Sequence, residues 1–129
     1  MAQFISALTL VVPNYDDGIA FYVDMLGFDL IEDTKISAKK RWVLVAPPGS
    51  TETKILLAKA DKPEQFAAIG NQAGGRVGFF LQTDDFEADY AAMRAKGIIF
   101  LEEPRDEPYA KVVVWQDPFG NKWDMLQPK

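Results

Sequence analysis

The chain has 129 residues, a formal charge of −5, 48% hydrophobic and 26% charged residues, and neither histidine nor cysteine. No apolar run approaches the roughly 18–20 residues that a bilayer requires, and the acidic balance disfavours nucleic acid as a partner. Without imidazole or thiolate, an ordinary Zn, Fe, Ni or Cu site and a Ser-His-Asp or Cys-His relay are excluded.

The N-terminal residues lack the basic region and long apolar stretch of a signal peptide. A cytoplasmic location is therefore expected. The absence of cysteine agrees with that location without requiring it, because a protein without disulfides can work in any compartment.

The first half of the chain predicts a strand, a helix and three more strands. Residues 5–12 form an apolar, strand-like run, and residues 13–17 carry turn and helix-start signals with acidic residues near the helix N-terminus. Apolar residues then recur at helical spacing until Gly27, which ends the helix. The first of the three strands begins at residue 28. The other two cover residues 41–46 and 54–58.

The second half repeats this order. Residues 76–83 predict a strand, Asp84-Asp85 opens a helix, and Gly97 ends it. A charged, proline-stiffened loop is predicted at residues 102–109. The remaining strands are predicted at residues 98–101, 111–116 and 122–126, with a hairpin turn at 117–121 between the last two.

These two halves predict one domain over residues 1–129. Module one covers about residues 1–60, a linker with a short helix at 63–69 covers about 61–75, and module two covers about 76–129. A repeat of roughly 60 residues seldom stabilises itself alone, so we expect the halves to share one core.

Several stretches together resemble the vicinal oxygen chelate superfamily, the group of glyoxalases, bleomycin-resistance proteins and extradiol dioxygenases. They are Leu8-Thr9-Leu10-Val11-Val12, Ala20-Phe21-Tyr22, Leu26-Gly27-Phe28, Thr83-Asp84-Asp85-Phe86, Lys96-Gly97-Ile98 and Asp117-Pro118-Phe119-Gly120-Asn121-Lys122-Trp123-Asp124. The resemblance implies an α+β fold of two tandem βαβββ modules that form a curved mixed sheet around a cleft, usually in a homodimer.

Metal enzymes of this family place ligands on four strands that point into the cleft. The resemblance puts those positions on Ala7, near Leu56, on Gly78 (or Val77 after a one-residue slip) and on Asp124. Of these only Asp124 has an oxygen donor, and a single carboxylate does not hold a catalytic divalent ion against water. No metal site and no cofactor are therefore predicted.

Strand alternation extends this inference. If Asp124 points into the cleft, Lys122 and Leu126 do so as well. On the other strands the same alternation selects Ala7, Thr9, Val11, Lys54, Leu56, Ala58, Gly78, Phe80 and Gln82. Such a face is mostly apolar with a few polar groups, which suits the binding of an organic molecule.

The predicted ligand-binding residues are Thr9, Trp42, Phe80, Gln82, Tyr109, Trp115 and Asp124. The aromatic residues would stack on a planar or cationic ligand, or, alternatively, Phe80, Trp42 and Trp115 would pack in the core or a dimer surface. Asp124 would orient a ligand or accept a proton, or else form an ion pair or hydrogen bond with Lys122 or another group of the cleft. Arg41 and Arg76, which begin strands, are candidates for gripping an anion or, alternatively, for a solvated strand end or a salt bridge.

The first functional hypothesis is a metal-free binding protein that holds a small, partly aromatic or cationic molecule in the cleft of a homodimer. The acidic loop at residues 102–108 would suit a cationic ligand. The alternative is a lyase, isomerase or dioxygenase-like enzyme with a divergent oxygen-ligand metal site or none, using Asp124, Glu102, Glu103 or Tyr109. The sequence does not decide whether the protein is an enzyme, and it names no ligand.

Overall fold

A computed structural model describes residues 2–129. The chain has a mixed α+β fold and divides into two compact units, Met1–Ile69 (unit 1) and Gly70–Lys129 (unit 2). Unit 1 contains a four-stranded sheet and unit 2 a five-stranded sheet, each with parallel and antiparallel pairs. The predicted α+β class with mixed sheets is thereby confirmed.

Unit 1 follows the predicted order of elements. Its strands are β1 (Ala7–Val12), β2 (Asp29–Lys35), β3 (Arg41–Ala46) and β4 (Lys54–Lys59), arranged β1-β4-β3-β2. Its helices are α1 (Tyr15–Ile19), which continues as a π-helical segment over Ala20–Met25, and α2 (Pro63–Ala68). Strands β1 and β4 are parallel, and the other pairs are antiparallel.

The first helix departs from the single α-helix that the sequence predicts. Asn14 caps it, accepting a 2.8 Å hydrogen bond from the Asp17 backbone N–H. Its second half is π-helical, and both Phe21 and its neighbour Tyr22 are buried there in edge-to-face contact at 4.8 Å. The wider π-helical turn accommodates two consecutive aromatic residues on the core side. Gly27, with a φ of 93°, follows the helix as predicted.

One face of the unit 1 sheet is covered by α1. A Cβ added to Gly18 would lie 3.1 Å from Leu57 and 3.3 Å from Val12, so a larger residue there would require these side chains to shift by a few tenths of an ångström. The residues of the covered face are Leu10, Val12, Val43, Val45, Ile55 and Leu57, all buried. The alternate residues Thr9, Val11, Leu44, Leu56 and Ala58 form the open face of sheet 1.

Unit 2 has five strands, one more than predicted. They are β5 (Phe79–Gln82), β6 (Ile99–Phe100), β7 (Arg105–Asp106), β8 (Ala110–Gln116) and β9 (Lys122–Pro128), in the order β5-β9-β8-β6 with β7 also paired to β8. Helix α3 spans Phe86–Ala95; Asp85 caps it and Gly97 follows it with a φ of 83°. The extra strand β7 lies within the predicted loop at residues 102–109, where Arg105 pairs with Val112.

The covered face of the unit 2 sheet is aromatic. Trp123 stacks on Trp115 at 5.0 Å and on Phe79 at 4.9 Å between ring centroids. Met125, which is fully buried, lies on the same covered face. Asp124, its neighbour in β9, is half-buried and points to the other face. The alternate residues Phe80, Gln82, Lys122, Asp124 and Leu126 form the open face of sheet 2.

The hairpin between β8 and β9 is held by one buried carboxylate. Asp117 accepts hydrogen bonds from the backbone N–H groups of Phe119 and Asn121 (3.0 and 2.8 Å) and from the Asn121 side-chain amide (2.8 Å). A buried carboxylate with these donors is well satisfied, so the Asp117–Asn121 motif is structural. No helix within residues 2–129 is long and apolar enough to cross a bilayer.

Candidate functional site

The open face of sheet 1 borders a cavity of about 540 Å³, called here the unit 1 cavity. Its apolar floor comes from the parallel pair β1 and β4, where Val11 lies beside Ala58 and Thr9 beside Leu56. The predicted ligand residues Thr9 and Trp42 both line it. The arrangement follows from strand alternation, since every second residue of these strands faces away from the helix-covered side.

Trp42 forms an aromatic wall of this cavity. It lies in β3 opposite Thr34 of β2, and 38% of its surface remains exposed. An indole that is half embedded and half exposed presents an apolar face to a ligand without having to leave the core. The core alternative for Trp42 therefore does not describe its position.

Three lysines rim the unit 1 cavity, and sequence reasoning did not select them. Lys39 and Lys40 lie in the β2–β3 turn, where the Lys40 carbonyl accepts hydrogen bonds from Ile36 N–H (2.8 Å) and Ser37 N–H (3.1 Å). Lys59 ends β4 on the same cavity. The available signal was the basic run Lys39-Lys40-Arg41 directly before Trp42.

Arg41 also lines the cavity, but its charge is compensated within unit 1. Its guanidinium donates to both oxygens of Asp33 (3.1 and 2.6 Å) and to Asp16 (2.8 Å), and it lies 5.3 Å from the centre of the Tyr15 ring. The hydrogen bonds from Arg41 hold the pKa of Asp33 below its ordinary value. The salt-bridge alternative for Arg41 is the one that the structure adopts.

Asp124 is the polar centre of the open face of sheet 2. It pairs in register with Phe80 of β5 and Val114 of β8. Its Oδ1 atom is buried and accepts no hydrogen bond from any residue in the described range 2–129. Burial raises the pKa of Asp124; the nearby Arg105 opposes this effect and Glu102 adds to it.

Three charged residues of the loop beside Asp124 bond to one another. Both Glu102 carboxylate oxygens accept from Arg105 Nε at 3.1 and 3.0 Å, and one of them also accepts from the Val114 backbone N–H at 3.0 Å. Arg105 donates further to Glu107 at 3.1 Å and to the Tyr109 side chain. Glu102 thereby ties the loop to β8, and Arg105 is shared among several acceptors.

The predicted pairing of Asp124 with Lys122 is not formed. The Lys122 ammonium donates to the Gly75 carbonyl at 3.2 Å, and no ion pair joins it to Asp124 in the part of the chain that the structure describes. Both residues lie on the open face of β9, but the Lys122 side chain extends toward the turn before β5. Asp124 therefore keeps its partly desolvated carboxylate.

Of the remaining predicted residues, Phe80 and Gln82 lie on the open face of sheet 2, Tyr109 is exposed, and Trp115 is in the core. Phe80 and Tyr109 are both 66% exposed, and Gln82 lies on the open face two residues beyond Phe80. Trp115 is fully buried on the covered face, in stacking contact with Trp123, so it has no surface to offer a ligand. Unit 2 thus brings Phe80, Gln82 and Asp124 onto one face and places Trp115 in the core.

The residues at the family's metal-ligand positions do not fit a catalytic metal. Ala7 and Leu56 carry only hydrocarbon, Gly78 has no side chain, and Asp124 offers one carboxylate. Within residues 2–129 no group of three or more acidic side chains is arranged to hold an ion. A transition metal requires three or four protein ligands, usually nitrogen or sulfur.

Comparisons with known proteins agree with this fold. The family model for the glyoxalase/bleomycin resistance protein/dioxygenase superfamily matches residues 4–125. An uncharacterized protein of Shewanella frigidimarina (strain NCIMB 400) is 54% identical over 128 residues, which cover 98% of this chain and 95% of that protein.

Two solved structures are similar along almost the whole chain. The crystal structure of UcmS2 has a TM-score of 0.83 and 28% identity, covering 98% of each chain. TnmS3, described as an antibiotic binding protein from Streptomyces sp. CB03234, has a TM-score of 0.75 and 28% identity, covering 99% of this chain and 98% of its own. Because the family match spans residues 4–125, this chain belongs to the glyoxalase/bleomycin resistance protein/dioxygenase superfamily.

Proposed function

We propose that this protein binds a small, partly aromatic organic molecule without a metal, in the manner of the bleomycin-resistance type of its superfamily. The observation that carries the proposal is the unit 1 cavity, with the apolar floor of β1 and β4 and the half-exposed Trp42. Its volume of about 540 Å³ lies within the range of roughly 300–1,000 Å³ that is typical of small-molecule sites.

The chemistry of the cavity favours binding over bond-making. Val11, Leu56 and Ala58 offer surface for burial, and Trp42 offers a ring face on which a planar ligand can stack. An aromatic pair contributes roughly 0.5–1.5 kcal/mol beyond the area it buries. The name of TnmS3 as an antibiotic binding protein supports a ligand of this general kind.

We further propose that the working form is a cytoplasmic homodimer. Support comes from the apolar side chains Phe4, Ile5 and Leu8, which lie exposed on and before the edge strand β1. Exposed apolar side chains on an edge strand favour association with another chain. Sedimentation velocity at micromolar concentration checks this: a dimer is expected, and a monomer would contradict it.

The ligand-binding proposal is tested by thermal unfolding of untagged, chelator-treated protein against planar aromatic compounds of all charges, including basic antibiotics. An untagged protein matters because a histidine tag would supply the nitrogen ligands that the chain lacks. A ligand at about 100 times its Kd stabilises by about 2.7 kcal/mol, which is a clear shift in Tm. The Trp42→Leu variant should lose the shift, while Phe66→Leu, at an exposed aromatic outside the cavity, should keep it.

One observation supports a second candidate function, that of an enzyme using Asp124 as a proton donor or acceptor. The support is the buried Oδ1 atom, which has no hydrogen-bond partner within residues 2–129, together with the upward shift that burial gives the pKa of Asp124. If a substrate is identified, Asp124→Asn should abolish turnover and leave the fold intact. Unchanged turnover would remove this candidate.

A further inference from the structure

We infer that the ligand of the unit 1 cavity carries an anionic group, such as a carboxylate, attached to its aromatic part. This inference rests on the proposed binding function and names the ligand's chemical class. The juxtaposition that carries it is the lysine rim, formed by Lys39, Lys40 and Lys59, around the apolar floor and the Trp42 wall.

The charge of the cavity is opposite to the charge of the chain. The whole chain carries a formal charge of −5, yet the cavity lining has Asp61 as its single carboxylate against the three lysines. Arg41 does not alter this balance, because Asp16 and Asp33 already compensate it. A concave surface lined by one sign of charge raises the local concentration of ligands of the opposite sign.

The three lysines are not engaged in ion pairs within residues 2–129, whereas two other lysines of the chain are. Lys111 pairs with Glu87, and Lys129 pairs with Asp106. No such partner exists for Lys39, Lys40 or Lys59 in the described structure. Their ammonium groups therefore remain available for a ligand, and none of the cavity's own groups must be displaced first.

The backbone that carries two of these lysines is already ordered. The Lys40 carbonyl closes the β2–β3 turn by accepting from two N–H groups, and Lys39 N–H donates to the Ser37 hydroxyl at 3.3 Å. A pre-ordered turn reduces the entropy that binding must remove. Lysine side chains supply long, flexible donors, which suit an anion of variable position better than the fixed fork of arginine.

This charge arrangement revises the interpretation of the acidic loop. The sequence suggested that residues 102–108 would attract a cationic ligand. In unit 2, however, Glu102 and Glu107 are both bonded to Arg105. Those two carboxylates share the single guanidinium of Arg105, which weakens the field that they offer a cation, whereas the lysines of the rim have no ion-pair partner within residues 2–129.

The test uses one ring system with three charges: 2-naphthoate, 2-naphthamide and 2-naphthylmethylammonium, titrated by calorimetry into untagged, chelator-treated protein. An exposed charge pair contributes up to about fivefold in affinity, so 2-naphthoate should bind up to about fivefold more tightly than the neutral amide. The cation should bind most weakly. The preference should shrink at 1 M salt, where the screening length is about 3 Å.

Matched variants separate charge from ring binding. The double variant Lys39→Gln/Lys40→Gln and the single variant Lys59→Gln should each reduce the preference for 2-naphthoate without changing binding of 2-naphthamide. Lys96→Gln, at an exposed lysine outside the cavity, is the control and should change nothing. Trp42→Leu should weaken all three compounds by about tenfold, because the ring surface is common to them.

The outcomes separate this inference from the proposed function. Binding of the amide or the cation as tightly as the carboxylate overturns the anionic class and leaves small-molecule binding in place. A carboxylate preference that survives all lysine variants also overturns it. Failure of all three compounds to bind overturns the binding function, and this inference with it.

Discussion

The two sheets share a plan but present different chemistry on their open faces. In unit 1, β1 and β4 run parallel, and in unit 2, β5 and β9 do so, each with a helix following the first strand. The open face of sheet 1 borders uncompensated lysines beside Trp42. On the open face of sheet 2, a desolvated Asp124 lies beside the Glu102–Arg105 pair, which is already satisfied.

This difference shows that local pairing, rather than net charge, decides what a face can bind. The chain as a whole is acidic, but Glu102 and Glu107 of unit 2 bond to Arg105, and Asp16 and Asp33 of unit 1 bond to Arg41. The unit 1 cavity keeps three lysines without an ion-pair partner within residues 2–129, and the open face of sheet 2 keeps one partly buried carboxylate. Variants that alter each face should therefore have effects of different kinds and signs.

The largest expected effect is on the free energy of unfolding, and it differs between the core residue Trp115 and the cavity residue Trp42. Trp115→Ala should lower the free energy of unfolding by about 3–5 kcal/mol, because it removes a fully buried ring stacked on Trp123. Trp42→Ala should cost less than Trp115→Ala, since Trp42 is 38% exposed and its truncation removes less buried surface. Urea unfolding measures both, with Trp115→Phe as the milder variant. Equal costs at the two positions would contradict the assignment of Trp42 to the cavity.

The next largest effect is a gain in fold stability when Asp124 is replaced by asparagine. Because the pKa of Asp124 is raised, the carboxyl stabilises the fold when protonated, and that stability is lost as pH rises through its folded pKa. At pH 7 Asp124→Asn should therefore stabilise the protein, by up to about 1 kcal/mol after allowance for solvent screening. The stability difference between the variant and the parent protein should vanish when the pH falls below about 3.8, the ordinary pKa of an aspartate carboxyl.

Thermal unfolding at pH 7 and at low pH checks this prediction. Asp24→Asn, at an exposed aspartate of the π-helical segment, is the control for the loss of one negative charge. A loss of stability in Asp124→Asn at pH 7 would mean that the carboxylate makes a favourable contact in its charged form.

A smaller effect of opposite sign is expected in unit 1. Arg41 lowers the pKa of Asp33, so this carboxylate stabilises the fold above its unfolded pKa, and the stability is lost as pH falls through its lower folded pKa. Asp33→Asn should cost about 0.5 kcal/mol at pH 7, as is usual for an ion pair near the surface. The same pH series of thermal unfolding measures it. A cost that persists unchanged in strong acid would show that the ion pair is not its source.

The smallest effect concerns the electrostatics around Asp124. Glu102→Gln should lower the pKa of Asp124, and Arg105→Gln should raise it, each by less than about one pH unit. Carbon-13 NMR titration of the Asp124 carboxyl measures both. Shifts in the same direction in the two variants would contradict the described arrangement of these charges.

Much of the fold could be predicted because its signals are local. The period-two pattern located β3 to the residue, and Gly27 and Gly97 marked the ends of the first and third helices. The π-helical turn and strand β7 escaped prediction. The first depends on how Phe21 and Tyr22 pack together, and the second on the pairing of Arg105 with a strand that comes later in the chain.

The site was predictable only in part. Alternation selected Thr9 and the apolar floor, but no periodicity indicates which of two tryptophans is buried, so Trp115 was grouped with Trp42. The lysine rim was missed because a basic turn reads as solvated surface until its partners are known. Whether a charge is free depends on contacts between distant residues, such as Asp16 and Arg41.

The most direct test of metal-free ligand binding is calorimetric titration of 2-naphthoate into untagged protein, once in excess EDTA and once after addition of one equivalent of Zn²⁺. We predict saturable binding of about one molecule per chain with the same Kd in both conditions, and its loss in Trp42→Leu. Binding that appears only with the metal would contradict the account, because the chain would then possess a metal site that its donor groups do not suggest.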